Sequence, residues 1–117
     1  MTQRQFADAL DILTKAMTDL EPLGEPRSMV RLLNRIATVH QQLGDFKSAL
    51  YYLNRGLALL PKVTEKEEAA TYVNFGSTLQ ALGEVERASA FYHRAVAVAE
   101  RTGDRRIHAG AFSHLVH

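Results

Sequence analysis

Two five-residue stretches decide the fold: Gln42-Leu43-Gly44-Asp45-Phe46 and Ala81-Leu82-Gly83-Glu84-Val85, which lie 39 residues apart. In each stretch a Leu-Gly pair is followed by an acidic residue and then by an apolar one. Glycine readily takes the left-handed conformation just past the C-terminus of a helix. A carboxylate is favoured at the N-terminus of the helix that comes next. Each stretch therefore predicts a tight turn between two helices.

A repeat extends outward from both turns, with apolar and small residues three and four positions apart. Downstream of each turn, and near the N-terminus, the repeated positions hold Phe6, Ala9, Leu13 and Ala16; then Phe46, Ala49, Leu53 and Gly56; then Val85, Ala88, Tyr92 and Ala95. Upstream they hold Leu33, Ile36 and Ala37; then Tyr72, Phe75 and Gly76; then Phe112, Leu115 and Val116. Because this spacing places apolar residues on one face of a helix, each copy predicts a pair of helices.

The repeat predicts an all-α fold, an α-solenoid of six antiparallel helices made of a half repeat, two full repeats and a further half repeat. The expected helices span residues 3–20, 27–42, 45–60, 65–82, 84–101 and 105–116. We expect one domain over residues 1–117, divided into a partial repeat at 1–23, full repeats at 27–61 and 65–101, and a partial repeat at 105–117.

The composition narrows the class of protein. The chain has 117 residues, with 14 Lys and Arg, 13 Asp and Glu, and no Cys, which excludes disulfides and thiolate chemistry. Its two halves are equally balanced in charge, so the basic surface of a nucleic-acid-binding protein is not expected. No apolar run approaches the ~20 residues of a membrane helix, and acidic residues stand where a signal peptide is apolar. We expect a cytoplasmic protein without a membrane or nucleic-acid partner.

The repeat resembles the tetratricopeptide repeat (TPR) family. The residues that follow the family's pattern in one copy are Leu33, Ile36, Ala37, Gly44, Phe46, Ala49, Leu53, Gly56 and Pro61. The period of 39–40 residues exceeds the usual ~34, which is similar to the long-repeat TPRs of kinesin light chains, LGN-type adaptors and bacterial signalling regulators. His40 departs from the pattern, because the family prefers a large apolar residue there.

The resemblance implies a concave groove, lined by the first helix of each pair, that binds a peptide or a partner helix. The implied groove residues are Arg31, Asn34, Arg35, Thr38, Gln41, Val73, Asn74, Ser77, Gln80, Ser113 and His114. Most are uncharged hydrogen-bonding groups, which an extended peptide needs when its backbone amides are covered. Substituting Asn34 or Asn74 is then expected to abolish partner capture without lowering the melting temperature. The alternative for any one of these residues is an ordinary solvent-facing position.

The implied function is that of a non-enzymatic protein–protein interaction module within a larger adaptor or signalling protein. The Lys and Asn pair with which chaperone-binding TPRs clamp a C-terminal carboxylate is absent, so a co-chaperone role is not expected. No GxSxG, HExxH, GxxxxGK or GxGxxG motif occurs, and we expect neither catalysis nor a cofactor. His108, His114 and His117 lack an accompanying carboxylate, so we expect no metal site.

The two half repeats predict self-association as an alternative function. The apolar residues expected to pack on one side only are Phe6, Leu10, Leu13, Met17, Phe112, Leu115 and Val116. Residues 105–116 of one copy can then complete a repeat with residues 3–20 of another and form a homodimer. Such a head-to-tail contact must close or it polymerises. A chain that is a fragment of a longer TPR array fits the same pattern.

Overall fold

The computed structural model describes residues 2–103, and five α-helices account for most of them. These are α1 (Gln3–Leu20), α2 (Pro26–Gln42), α3 (Phe46–Leu57), α4 (Glu65–Ala81) and α5 (Val85–Thr102). Short 3-10 turns, Glu21–Leu23 and Leu60–Lys62, follow α1 and α3. Within this range there is no strand, and the predicted all-helical solenoid is confirmed. The sixth expected helix, 105–116, lies outside the described residues.

The two Leu-Gly turns have the geometry that the sequence predicts. Gly44 and Gly83 have φ angles of 79° and 83°, in the left-handed region that favours glycine. The Gly44 amide donates to the carbonyl of Gln41 at 3.0 Å, and the Asp45 amide donates to that of His40 at 2.8 Å. An equivalent pair of bonds forms at Gly83. These bonds satisfy carbonyls in the last turns of α2 and α4, so each helix can end sharply.

The helix starts use side chains that the sequence provides locally. Thr2 and Gln5 form a reciprocal capping box at the start of α1, with bonds of 3.2 and 2.7 Å. Asp45 accepts a bond from the Ser48 amide at 3.2 Å, so the acid after the first glycine is a true N-cap. Pro26 occupies the first turn of α2, where its missing N–H costs nothing.

The third helix is shorter than predicted. We expected it to span 45–60, but α3 ends at Leu57. The Leu59 amide donates to the carbonyl of Gly56 at 2.9 Å, a tighter bond than an α-helix makes. Pro61 explains the early end, because its ring clashes with the preceding turn and it has no N–H to donate.

The helices pack in the order expected of stacked helix pairs. Helices α2 and α3 form one hairpin and α4 and α5 the next; α1 packs on α2, and α4 packs on both α2 and α3. One buried cluster is formed by residues of α2, α3, α4 and α5, and we refer to it as the α2–α5 cluster. It contains Ala37, Ala49, Leu53, Phe75, Leu79, Ala88 and Tyr92. A second cluster, between α1 and α2, contains Met17, Met29, Leu33 and Ile36. Side-by-side packing of α2 and α4, the first helices of the two full repeats, creates the surface on which the predicted groove residues lie.

Of the helices in residues 2–103, none combines the length and the apolar character required to cross a membrane.

Candidate partner-binding face

The predicted groove residues of α2 and α4 meet where the two helices lie side by side. We define the α2–α4 face by the residues Arg31, Asn34, Arg35, Thr38, Lys66, Ala70, Asn74 and Ser77. All eight lie on first helices of consecutive repeats, and all are at least partly exposed. The face therefore joins side chains that are about 40 residues apart in the sequence.

Asn34 lies at the centre of this face and is bonded on both of its polar atoms. Its Nδ2 donates to Thr71 Oγ1 at 3.1 Å, and its Oδ1 accepts from Asn74 Nδ2 at 3.3 Å. Thr38 Oγ1 donates to the Asn34 carbonyl at 2.9 Å. Asn34 therefore holds α2 and α4 together, in addition to presenting a polar surface.

Gln41 makes the second connection between the same two helices. Its Nε2 donates to the Asn74 carbonyl at 3.1 Å and to Ser77 Oγ at 3.3 Å, and it also bonds to Thr78 Oγ1. Thr78 is fully buried, so this amide satisfies a polar group that water cannot reach. We refer to these bonded residues (Asn34, Gln41, Thr71, Asn74, Ser77 and Thr78) as the polar seam.

Glu67 is a residue that sequence reasoning missed. It is one of three acids in the first turn of α4, yet it is only 3% exposed. Its Oε2 accepts a bond from the Thr64 hydroxyl at 2.6 Å, its Oε1 accepts from Arg27 Nε, and Arg31 Nε lies 3.9 Å away. The residue one repeat earlier is Ser28, so the repeat pattern contained no signal for a buried acid.

Burial alone would raise the pKa of the Glu67 carboxyl. The hydrogen bonds from Thr64 and Arg27, with the charge of Arg27, outweigh burial and hold the pKa below its usual value. Glu67 is therefore ionised at neutral pH, and its negative charge is paired with Arg27 within the protein.

Two depressions adjoin on this side of the molecule. The charged depression, of about 420 Å³, is lined by Arg31, Asn34, Arg35, Lys66, Glu67 and Ala70. The apolar depression, of about 490 Å³, is lined by Ala9, Ile12, Leu13, Asn34, Arg35, Thr38 and Val39. Asn34 and Arg35 line both, so they form the ridge between a depression toward α4 and another toward α1.

The remaining groove candidates do not all reach the open surface. Val73 packs against the α2–α5 cluster, so its side chain stabilises the fold. Gln80 is exposed and accepts a bond from the Tyr92 hydroxyl at 3.2 Å. Ser113 and His114 lie outside the described residues.

The self-association candidates on α1 require a correction. Met17 is 7% exposed and packs on Met29, Leu33 and Ile36, so it belongs to the core and not to an open surface. Ile12, which the prediction left out, is 70% exposed. The reason is that α1 is rotated so that the Met17 side of its apolar stripe faces α2.

The other α1 candidates are more accessible than Met17. Leu10 and Leu13 are partly buried against the α1–α2 cluster, and Phe6 is partly exposed. The C-terminal candidates Phe112, Leu115 and Val116 lie outside the range that the structure describes.

His40, the departure from the repeat pattern, packs as an aromatic residue. Its ring stacks on Tyr52 with the ring centroids 5.5 Å apart. Its Nδ1 lies 3.5 Å from Asp45 Oδ2, close enough for attraction but too far for a good hydrogen bond. The flat imidazole thus fills a position where a large apolar side chain was expected.

Between residues 2 and 103, no three His, Asp or Glu side chains are placed to hold a metal ion together. His108, His114 and His117 lie outside that range.

Comparisons with known proteins agree with this architecture. A tetratricopeptide repeat model matches residues 1–62, more than half of the chain, and a second model of the same description matches residues 69–102. A search of curated proteins gave no match. Repeats of this kind generally mediate protein–protein interactions and are typically non-enzymatic. The chain belongs to the tetratricopeptide repeat family.

Proposed function

We propose that this chain is a non-enzymatic interaction module that binds a peptide segment or partner helix on the α2–α4 face, as part of a larger adaptor or signalling protein. The observation that supports this most directly is the pair of depressions that meet at Asn34 and Arg35. Ligand sites are concave and combine apolar surface with a few placed polar groups. The two depressions together provide both.

The polar seam suits this role because its side chains are already ordered. Asn34, Asn74 and Ser77 are bonded to one another or to neighbouring backbone in the absence of a partner. Binding then costs less side-chain entropy than it would on a surface of free side chains. Carbonyl and hydroxyl oxygens have two lone pairs, so bonded groups can still accept from a peptide backbone.

A photo-crosslinking experiment tests the proposed face. A photoreactive phenylalanine analogue replaces Ala70, which lines the charged depression, or Ala97, which is also exposed and lies on α5. The expected result is a crosslinked partner from an extract of the source organism with the Ala70 probe only. Equal crosslinking from both positions, or from Ala97 alone, would contradict binding on the α2–α4 face.

A second candidate function, self-association, is favoured by a comparison of repeat-equivalent residues. Ala49 and Leu53 on α3 are fully buried beneath α2, whereas their equivalents Ala9 and Leu13 on α1 are partly exposed. Together with Ile12, these two residues line the apolar depression. The depression therefore corresponds to the surface against which a first helix packs elsewhere in the repeat.

The same comparison holds on the neighbouring helix. Thr71 and Thr78 on α4 are fully buried against α2, whereas their equivalents Leu32 and Val39 on α2 are partly exposed. An occupant of the apolar depression must therefore have the pattern of a first helix. Residues 105–116 carry that pattern in the sequence, with Phe112 at the position of Leu33. We propose that this segment of a second copy is the occupant.

Sedimentation equilibrium tests the association. The wild-type mass is expected to rise with concentration into the high micromolar range. Ile12→Asp places a charge in the apolar depression and is expected to give monomers. Tyr51→Asp changes an exposed aromatic on α3, away from the depression, and is expected to associate like wild type. A wild-type protein that stays monomeric would contradict the proposal.

A further inference from the structure

The charged depression has more positive than negative charge. Arg31, Arg35 and Lys66 line it, and all three are exposed. Its one acidic residue is Glu67. With the side chains ionised at neutral pH, three positive charges face one negative charge.

The negative charge of Glu67 is already neutralised by a partner that does not line the depression. The carboxylate accepts from both Thr64 and Arg27, and Arg27 does not line the depression. Glu67 is only 3% exposed, so its carboxylate presents little surface to the depression. Arg31 Nε lies 3.9 Å from Glu67, at the limit of an ion pair, so its guanidinium keeps free donors.

The other two cations are available to a ligand. Within residues 2–103, neither Arg35 nor Lys66 forms an ion pair or a hydrogen bond. Other surface cations with an acid in reach do pair: Arg55 lies 3.0 Å from Glu21, and Arg101 lies 2.9 Å from Glu68. The positive charge of the depression is therefore not cancelled by neighbouring side chains.

We propose that the charged depression binds the side-chain carboxylate of an Asp or Glu residue in the partner peptide. This inference rests on the proposed function, since it requires a peptide on the α2–α4 face. A guanidinium presents two parallel N–H groups that match the two oxygens of a carboxylate, and Lys66 adds a mobile ammonium. Asn34, on the ridge, lies beside the bound acid and can order the adjoining backbone.

The apolar depression on the other side of the ridge is not required for this recognition. The acidic residue is held by charge and by donor geometry at Arg31, Arg35 and Lys66 alone. Arg35 lines both depressions, but Lys66 lines only the charged one and Ile12 only the apolar one, so Lys66→Gln and Ile12→Asp can remove acid recognition and self-association separately.

A peptide library with paired acids and amides tests the proposal. The probe is a set of decapeptides, acetylated and amidated at their ends, with Glu or Gln fixed at each position in turn. The wild-type chain is expected to prefer Glu to Gln at one position by about fivefold, the strength of an exposed ion pair. Raising the salt concentration is expected to reduce the preference.

Variants that remove one charge each show which side chains cause the preference for Glu over Gln. Arg35→Gln and Lys66→Gln are each expected to reduce the Glu preference about two- to fivefold. Lys47→Gln removes the same charge at an exposed position on α3 and is expected to leave the Glu preference unchanged. Melting temperatures of all three should match wild type, because no ion pair of the described residues is lost.

The outcomes separate this inference from the function on which it rests. Library peptides that crosslink at position 70 with no preference for Glu would overturn the acid site and leave the interaction module intact. A companion set of the same peptides with free C-termini adds a second control: binding that depends on the C-terminal carboxylate and not on Glu would also overturn the acid site, because the proposed ligand is a side chain. Peptides that bind but crosslink only at position 97 would overturn both proposals.

Discussion

Tyr92 lies directly against the backbone of Gly76, with no space between them for a side chain. A Cβ atom at residue 76 would lie 2.5 Å from Tyr92 Cε1 and 2.7 Å from Cδ1. Tyr92 is buried, so its ring cannot swing into solvent to make room. The contact sets the separation of α4 and α5, and it leaves no room for a larger residue than glycine at position 76.

Gly76→Ala is expected to destabilise the protein. Forcing a methyl group into a packed contact costs about 1–3 kcal/mol, which exceeds the ~0.5–1 kcal/mol that Ala gains over Gly in a helix. The free energy of unfolding, from urea denaturation followed by circular dichroism, is expected to fall by about 1–2 kcal/mol.

Gly56→Ala is the matched control, because it is also a buried glycine at a small-residue position. Here an added Cβ would lie 4.0 Å from Leu33 Cδ1, an ordinary contact. This variant is expected to be neutral or more stable by up to about 1 kcal/mol. If both alanine variants lost the same stability, the steric explanation at Gly76 would be wrong.

The two turn acids are expected to differ in their effect on stability. Asp45 caps α3 through bonds from the Ser48 amide and hydroxyl, whereas Glu84 makes no capping bond and pairs with Arg87 at 3.0 Å on the surface. Asp45→Ala is expected to cost about 1 kcal/mol. Glu84→Ala is expected to cost less than about 0.5 kcal/mol. Thermal unfolding measures both, and the reverse ranking would contradict the assignment of the cap.

The polar seam changes what substitutions at the predicted groove are expected to do. Gln41→Ala removes the bonds from its amide to Thr78 and to the Asn74 carbonyl, while the buried Thr78 hydroxyl still donates to the Asn74 carbonyl at 2.8 Å; the loss of such a hydrogen bond costs about 0.5–1.5 kcal/mol. Gln42→Ala, an exposed neighbour on the same helix, is the control and is expected to change stability by less than about 0.5 kcal/mol. Equal melting temperatures for the two variants would argue against the seam.

Asn34→Ala follows the same reasoning. The sequence predicted that this substitution would abolish binding at unchanged stability, but Asn34 bonds to Thr71 and Asn74 across the seam. A loss of stability is therefore expected with any loss of binding. Arg35 is a cleaner position for binding studies, because it lies on the face without bonding across the seam.

Glu67 makes stability depend on pH in the acid range. Its pKa is lowered in the folded protein, so the unfolded state binds more protons there and stability rises with pH. The contribution is fully present above the unfolded-state pKa of 4.5 and is lost as the pH falls through the lower, folded value. Glu67→Gln is expected to flatten the stability curve below pH 4.5 in denaturant titrations.

Part of the slope should remain in that variant. The pKa of Asp45 is also lowered, chiefly by the hydrogen bonds from Ser48. Glu67→Gln combined with Asp45→Asn is therefore expected to flatten the curve further than either substitution alone. Identical slopes for wild type and Glu67→Gln would show that Glu67 is not held as a carboxylate in the folded protein.

The helices and the turns between them follow from the amino-acid sequence alone. The expected boundaries of α1, 3–20, match the structure, and the other four described helices agree to within three residues at each end. These features are local: Gly44 and Gly83 end helices through their own backbone conformation, and Asp45 caps through a residue three positions away. Apolar periodicity then determined which elements must pack together.

Which polar side chains face solvent and which hold the helices together depends on how the helices pack. The sequence placed Asn34 and Gln41 in an open groove, but α4 lies against them and takes their hydrogen bonds. Nothing in the repeat pattern indicated a buried acid at Glu67, and Arg27, 40 residues away, allows its carboxylate to be buried. Helical spacing predicts, to within about one residue, which face of its own helix a side chain occupies. Whether that side chain is buried depends on other helices that are distant in the sequence. The physical reason is that a buried polar group is stable only when a particular partner is present, and that partner is supplied by the fold.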